Sequence, residues 1–265
     1  MRVKQINKNM DLYEQGKDLY IKEQWSLTQI ARYLHISRGR LSTYLKKQNI
    51  EVINRQNSHS IYSNIFDTID TEEKAYWLGF LYADGYVSSK TNHIELTLSI
   101  KDYTHILKFA NFINYQGSIG KNDIKVRVSF QDKKMHQDLI DKGCVPNKSL
   151  ILTFPTNDIV PDNLVVHFVR GYIDGDGYIG MHTNNFGRLS ITCGSIDFIK
   201  DLIKIMQWKE KRIRKDKRSN AYNVEWAGLY VTNMLEQLYK NATVYLNRKQ
   251  EKYLQIKDAV LGRRL

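Results

Sequence analysis

Two aspartates hold the same place in two similar stretches of the chain. Asp84 ends residues 77–84, Asp176 ends residues 169–176, and a glycine follows each. Both stretches are mostly apolar, with small residues at their third and seventh places. If the two carboxylates meet, like charge opposes their joint ionisation. A hard divalent cation resolves that conflict, because Mg²⁺ is held by one or two carboxylates, waters and phosphates. The residue types therefore favour metal-dependent chemistry at a phosphate.

Each aspartate must be positioned by the apolar run before it. Gly79 and Ala83 lie four residues apart in the first run, and Gly171 and Gly175 do so in the second. Small side chains at this spacing share one helix face and let a second helix approach closely. The pattern predicts two packed helices with the aspartates side by side at their ends. The glycine after each run predicts a left-handed helix cap.

The competing interpretation is an ordinary buried helix followed by a turn, which a single apolar run ending in Asp-Gly more often is. The repetition favours a duplicated unit instead. The two aspartates are 92 positions apart, a spacing that suits two tandem half-domains.

At these residues the chain resembles the single-chain, two-motif LAGLIDADG homing endonucleases, from about Asp70 to near the C-terminus. The resemblance implies that Asp84 and Asp176 bind metal. It also implies that the backbone carbonyls of Ala83 and Gly175 contact metal.

One position departs from the motif. Tyr82 stands at the sixth place of the first copy, where the family has Asp and the second copy has Asp174. This place is not the metal ligand, so the departure predicts asymmetric halves rather than lost activity.

Composition narrows the class of protein. The 265 residues carry 40 Lys plus Arg against 28 Asp plus Glu, a net charge of +12 that favours a polyanionic partner. No apolar run is long enough to span a membrane and no signal-peptide core is present, which predicts a soluble, cytoplasmic protein. The cysteines are Cys144 and Cys193, without a zinc or disulfide pattern, and a reducing compartment fits.

The N-terminal residues 1–53 predict a small all-α helix-turn-helix domain, and the polar residues that follow, 54–69, predict a linker. Ser37 is a good N-cap for the second helix of the motif, which would enter the major groove of DNA. A helical protein-interaction module is the competing interpretation. The side chains predicted to contact DNA from this helix are Arg38, Arg40, Ser42, Thr43 and Lys46.

The rest of the chain predicts an α+β fold of two tandem half-domains, 70–160 and 161–265, each with the order αββαββα. Residues 125–130 alternate basic or polar with apolar, as a half-buried strand does. The resemblance implies that the halves form a pseudo-twofold saddle over DNA. Basic or polar positions on the strands and on the basic run 209–218 supply the other DNA contacts, namely Lys125, Arg127, Arg188, Arg212, Arg214 and Lys215.

The function predicted from the resemblance is a Mg²⁺-dependent, site-specific double-strand DNA endonuclease. Family members cut across the minor groove and leave 3′ overhangs, and a basic residue usually assists at each site. Lys125 or Arg127 is the candidate in the first half, and Arg214 or Lys215 in the second. A monomer on a long asymmetric double-stranded DNA site is expected. Two alternatives use the same fold: a DNA-binding regulator without catalysis, and an intron maturase that binds RNA.

Overall fold

The chain divides into two compact units, Met1–Ile61 with Asn114–Ser118, and Tyr62–Ile113 with Ile119–Leu265. The structure is a computed structural model. It describes residues 2–21, 25, 27–50, 52, 61–146, 151–182, 186–216 and 220–262. Residues 54–60 of the predicted linker lie outside this part. Its last residues, 62–69, belong to the larger unit, where Phe66 and Ile69 are buried.

The described residues of the smaller unit form three helices, α1 (Arg2–Ile21), α2 (Leu27–Tyr33) and α3 (Arg38–Lys47). Ser37 caps α3 as predicted, because its hydroxyl accepts a hydrogen bond from the backbone N–H of Arg40 at 3.4 Å. The buried side chains between the helices are Tyr20, Leu27, Ile30, Leu41 and Leu45. A helix-turn-helix role for this unit stays a prediction.

The larger unit contains two halves of the same element order, and the second half ends in one additional helix. The first consists of α4 (Glu72–Asp84), β1 (Gly85–Val87), β2 (His93–Ser99), α5 (Tyr103–Phe112), β3 (Gly120–Lys121), β4 (Lys125–Gln131) and α6 (Lys133–Asp141). The second consists of α7 (Val165–Asp176), β5 (Gly177–Met181), β6 (Gly187–Cys193), α8 (Ile196–Ile205), β7 (Arg214–Lys215), β8 (Tyr222–Ala227), α9 (Leu229–Tyr239) and α10 (Asn247–Leu261). Both sheets are antiparallel, with orders β1-β2-β4-β3 and β5-β6-β8-β7. The predicted α+β class and duplicated order are confirmed.

The two motif helices, α4 and α7, pack against each other through their small residues. A Cβ atom added to Gly79 would lie 1.9 Å from the carbonyl oxygen of Phe168, and one added to Gly171 would lie 2.0 Å from that of Tyr76. Backbone approach this close excludes any side chain at either glycine. The predicted helix contact is therefore confirmed.

The helix ends differ from the prediction. Gly85 and Gly177 have φ angles of −72° and −79°, which are extended, so the predicted left-handed caps are wrong. Glycine is needed there for space: an added Cβ would lie 2.6 Å from the carbonyl oxygen of Leu81 and 2.7 Å from that of Ile173. Each motif helix therefore passes directly into the first strand of its own sheet.

The strands keep one face in the core and the other exposed, as the alternation predicted. On β4, Val126, Val128 and Phe130 are buried, while Lys125 and Arg127 are exposed. No helix among the described residues is both long and apolar enough to cross a membrane.

Candidate functional site

Asp84 and Asp176 are the last residues of α4 and α7, and both side chains are exposed. A Cβ atom added to Gly175 would lie 2.3 Å from the Cβ of Ala83 and 3.4 Å from Oδ2 of Asp84. The residue before one aspartate thus lies against the other aspartate. The structure brings the two acids together, as the repeated motif predicted.

This meeting point is strongly negative. A helix carries partial negative charge at its C-terminus, so the ends of α4 and α7 add to the charge of Asp84 and Asp176. Such a site favours a cation, whether a metal ion or a basic side chain.

Lys249, in the first turn of α10, supplies a positive charge at this place. Its side chain is 4% exposed, and its Nζ donates to the carbonyl oxygen of Gly177 at 2.5 Å and to that of Ile173. These two carbonyls lie on either side of Asp176 in the chain. The amine therefore binds the end of the second motif helix directly.

Burial lowers the pKa of Lys249 to about 8. The nearby guanidinium of Arg248 contributes to this lowering of the pKa, whereas the surrounding carboxylates oppose it. Those carboxylates, in order of decreasing effect, are Asp174, Asp84 and Asp176. Both acids of the pair therefore act on the same lysine.

Sequence reasoning missed Lys249 because it sought basic partners only on strands and loops. A signal was present in the helix periodicity. Lys249 shares one helix face with Tyr253, Ile256 and Val260, and all four are buried. A lysine in an otherwise apolar stripe is unusual, since buried lysines need partners.

The four basic residues predicted to assist catalysis lie further along the sheets. Arg127 is on β4, two strands from β1, and Arg214 is on β7, three strands from β5. At about 4.8 Å per strand, these separations are roughly 10 and 14 Å. Lys125 and Lys215 lie on the same two strands and are exposed. Lys249, by contrast, contacts the carbonyls on either side of Asp176 directly, and the catalytic roles of the four stay predictions.

The exposed sheet faces pair guanidinium groups with carboxylates. On the first sheet, Nη1 of Arg127 lies 3.9 Å from Oε2 of Glu95. On the second, Nη2 of Arg188 lies 2.5 Å from Oε2 of Glu225, and its guanidinium lies 5.7 Å from the ring centre of Tyr178. Such side chains can bind phosphates or the edges of bases. Arg212, in the segment before β7, is also exposed.

In the smaller unit, the residues predicted to bind DNA lie on α3. Arg38, Arg40, Thr43 and Lys46 are exposed, and Ser42 is half-buried. Three of them also line a cleft of about 290 Å³, namely Arg38, Ser42 and Lys46. The face is accessible and carries positive charge, as DNA binding requires.

The acidic pair fits a hard metal ion by its donors. Carboxylates and backbone carbonyls are the oxygen ligands that Mg²⁺ prefers, and two carboxylates suffice when water and phosphate complete the shell. Within the described ranges, no cluster of three or more His, Cys, Asp or Glu side chains is placed to hold a metal. The oxygen donors at the meeting point of the two helices include Asp84, Asp176 and nearby carbonyls.

Comparisons with known proteins give matches by structure. The I-SmaMI LAGLIDADG homing endonuclease bound to cleaved DNA matches with a TM-score of 0.51 and 13% identity, over 74% of this chain and 91% of that chain. I-SmaMI bound to an uncleaved DNA target with calcium ions matches with a TM-score of 0.50 and 12% identity, over 74% and 92%. The LAGLIDADG meganuclease I-AabMI bound to uncleaved DNA matches with a TM-score of 0.50 and 12% identity, over 71% and 90%. No family model and no curated protein matches the sequence.

Proposed function

From the fold of the LAGLIDADG homing endonucleases, which this chain shares, we propose that the protein is a site-specific, metal-dependent double-strand DNA endonuclease. The observation that carries the proposal is the meeting of Asp84 and Asp176 at the paired helix ends. Fold likeness at this level of identity does not by itself assign activity. The acidic pair adds the chemistry, because without a cation it would only destabilise the fold.

In this proposal Asp84 and Asp176 hold Mg²⁺, together with the backbone carbonyls of Ala83 and Gly175. When bound, the metal lowers the pKa of the attacking water and stabilises the charge that develops on the phosphate. The solved structure of I-SmaMI with calcium ions supports a divalent ion in this fold. Each carboxylate orients its ligand from a rigid helix end, which fixes the site relative to the DNA.

Lys249 places a positive charge beside the scissile phosphates. Held by the carbonyls of Ile173 and Gly177, it can stabilise negative charge in the transition state without first being ordered. With a pKa of about 8, it can also hold or release a proton near neutral pH.

The exposed sheet faces bind the DNA on either side of the cut, and α3 of the smaller unit extends the contact. The net charge of +12 attracts the DNA duplex electrostatically. Arg127 and Arg188 lie on different sheets and face different neighbours, so the target has no reason to be symmetric. A monomer on a long asymmetric site follows.

The test is incubation of the protein with a randomised plasmid library, with and without Mg²⁺, followed by sequencing of the cut ends. The proposal expects a single preferred sequence, cut on both strands with 3′ overhangs and only with the metal. The control is the Asp84→Asn, Asp176→Asn double variant, which should leave the library uncut. Sequence-specific retention of DNA without any cut ends would identify a regulator instead. Preference for a structured intron RNA over all DNA would favour the maturase.

A further inference from the structure

A second aspartate of the motif, Asp174, is completely buried and accepts three hydrogen bonds. Its Oδ2 accepts from the hydroxyl of Tyr76 at 2.8 Å and from the backbone N–H of Leu246 at 2.7 Å. Its Oδ1 accepts from the hydroxyl of Tyr239 at 2.5 Å. Burial raises the pKa of this carboxyl, and the positive charge of Lys249 and these donors oppose the rise. A buried carboxyl so fully bonded has a specific structural task.

One of those donors marks the start of α10. Leu246 is the residue before the helix, its side chain gives no cap, and it is 2% exposed. Without Asp174 its N–H would be buried and unpaired, which is costly. The carboxylate therefore substitutes for a side-chain cap, and the positive end of the helix favours its charge.

Lys249 comes three residues after Leu246, within the first turn of the same helix. The end of α7 thus holds the start of α10 at two points: Asp174 binds the N–H of Leu246, and the carbonyls of Ile173 and Gly177 bind Nζ of Lys249. Each attachment limits the movement of the other.

Two further contacts reach the same turn from the first half. Nζ of Lys108 donates to Oδ1 of Asn247 at 2.8 Å, and Nε of Arg248 donates to Oδ1 of Asp102 at 3.0 Å. The side chain of Arg248 is 53% exposed, so water competes with this contact. Asp174 supplies the fully buried attachment.

The first half shows that packing of the motif helices does not require an acid here. Tyr82 stands at the same place of the first motif, donates to the carbonyl oxygen of Lys142 and packs its ring 5.0 Å from that of Phe168. Asp174 is therefore particular to the second half, where it meets α10.

We propose that Asp174 is a positioning residue that holds Lys249 beside the acidic pair by fixing the first turn of α10. This inference rests on the proposed function, because the value of placing Lys249 there lies in DNA cleavage. The hydrogen bond to Leu246, rather than the charge of Asp174, is the essential contact.

The test uses full-length, metal-free protein and measures acylation of Lys249 by a small amine-reactive reagent, resolved by peptide mass spectrometry. In the native protein Lys249 is protected. Asp174→Ala should raise its acylation rate at least tenfold and speed hydrogen exchange in residues 244–250. Asp174→Asn should stay near the native rate, because its amide oxygen can still accept from Leu246. Lys252 on the same helix is the internal control and should react equally in all variants.

Two more variants make the comparison specific. Tyr239→Phe removes a different donor to the same carboxylate, so Lys249 should stay protected. Leu246→Pro removes the N–H and leaves the carboxylate intact, so Lys249 should become reactive, and it tests the same bond if Asp174→Ala does not fold. A folded Asp174→Ala or Leu246→Pro protein with Lys249 still protected overturns the inference. So does an Asp174→Asn protein as reactive as Asp174→Ala, because the charge would then be the cause.

Cleavage provides the second measurement, with each DNA strand labelled at its own end and Mg²⁺ present. Asp174→Ala should slow one strand more than the other, since Lys249 belongs to one half, and Asp174→Asn should restore most of that rate. Equal slowing of both strands overturns the inference. If the native protein cuts no DNA while the acylation pattern holds, the proposed function fails and the contact to Lys249 stands. If it cuts DNA and the acylation pattern is absent, only the inference fails.

Discussion

At the scale of single residues, the candidate site is a small group of charges in which two carboxylates repel each other beside a buried lysine. Asp84 and Asp176 are exposed at helix ends that already carry partial negative charge. Lys249 is buried beside them and satisfied by carbonyls rather than by either acid. Both acids also keep an exposed side.

Replacing either acid by its amide separates metal chemistry from folding. Asp84→Asn and Asp176→Asn should lower cleavage by orders of magnitude, because a metal-bound nucleophile is lost. The free energy of unfolding without metal should hold or rise slightly, because like-charge repulsion is relieved. DNA binding in Ca²⁺ should persist. Cleavage assays, chemical denaturation and gel shifts test each part, and native cleavage rates in both variants would falsify the assignment of these acids.

His105 predicts a dependence of stability on pH. Its pKa is lowered to about 3, chiefly by burial and further by the positive charges of Lys108, Arg248 and Lys249. The unfolded chain binds a proton near pH 6.5 and the folded one does not, so stability is lost as pH falls from 6.5 towards 3. The expected slope from this group is about 1.4 kcal/mol per pH unit.

The measurement compares free energies of unfolding for native protein and His105→Gln between pH 7 and pH 4. Gln can keep the hydrogen bond that the ring Nε2 makes with the hydroxyl of Tyr76 at 3.0 Å, but it does not titrate. The difference between the two proteins should grow as the pH falls. Parallel curves would show that His105 has the same pKa in the folded and unfolded states.

Sequence reasoning located the acids of this site but not their basic partner. Asp84 and Asp176 hold the same place in the two copies of the motif, so their meeting follows from the duplication and from the spacing of the small residues. Lys249 binds backbone carbonyls. Every residue has one, so no residue type in the sequence marks the partners of this lysine. Only the fold shows that α10 returns to the end of α7.

At the scale of elements, the contact between α4 and α7 determines the geometry of the site. Gly79 and Gly171 place the backbone of one helix against that of the other, with no intervening side chain. Because each helix continues into a strand at Gly85 or Gly177, the packed helices also orient the two sheets. A shift at the helix contact would move both acids and both sheets.

Gly171→Ala should strongly destabilise the larger unit. The added Cβ would lie 2.0 Å from the carbonyl oxygen of Tyr76, a backbone atom that has no rotamer by which to move away. We expect a loss of about 3 kcal/mol or more in the free energy of unfolding, at the upper end of overpacking effects. Thermal and chemical denaturation measure it.

Gly39→Ala is the matched control, because Gly39 is also helical but its added Cβ has no neighbour nearer than 3.9 Å. It should leave the unfolding of the larger unit unchanged and stabilise α3 by about 0.5–1 kcal/mol. If Gly171→Ala is as mild as Gly39→Ala, the close helix approach is incorrect.

Local sequence signals predicted most helices and strands, and the error at the ends of the motif helices comes from atomic crowding. Ser37 and Thr71 cap their helices as their residue types predict, with Thr71 accepting from the N–H of Lys74 at 3.3 Å. The glycines after the motifs were expected to be left-handed. They are extended instead. Glycine is required there because a side chain would clash with the preceding helical turn, not because the backbone is left-handed. That crowding is invisible without coordinates.

At the scale of the whole molecule, the net charge of +12 is spread over both units, and each unit offers a basic surface. In the smaller unit, Arg40 on α3 is the residue that tests DNA binding. Arg40→Ala should weaken DNA binding and reduce the slope of log affinity against log salt by about 1, because one phosphate contact is lost. At saturating protein the cleavage rate should not change.

Lys200→Ala is the control for charge alone, since it removes one positive charge from α8, where Lys200 pairs with Asp197. It should leave the salt slope unchanged. Titration of a labelled target at several salt concentrations gives the comparison. An identical slope for Arg40→Ala and the native protein would remove α3 from the DNA interface.

Tyr76 and Phe168 occupy equivalent places, each eight residues before the acid of its own motif. Each lies against the sixth motif residue of the opposite half: Tyr76 bonds to Asp174, and Phe168 packs on Tyr82. The two halves are therefore matched to each other across the helix contact. Two second halves fused in tandem would bury each Asp174 opposite a phenyl ring with no hydroxyl. A hybrid that exchanges one half must therefore carry the hydroxyl of residue 76 along with Asp174, so the halves of this chain can be exchanged only in compatible pairs.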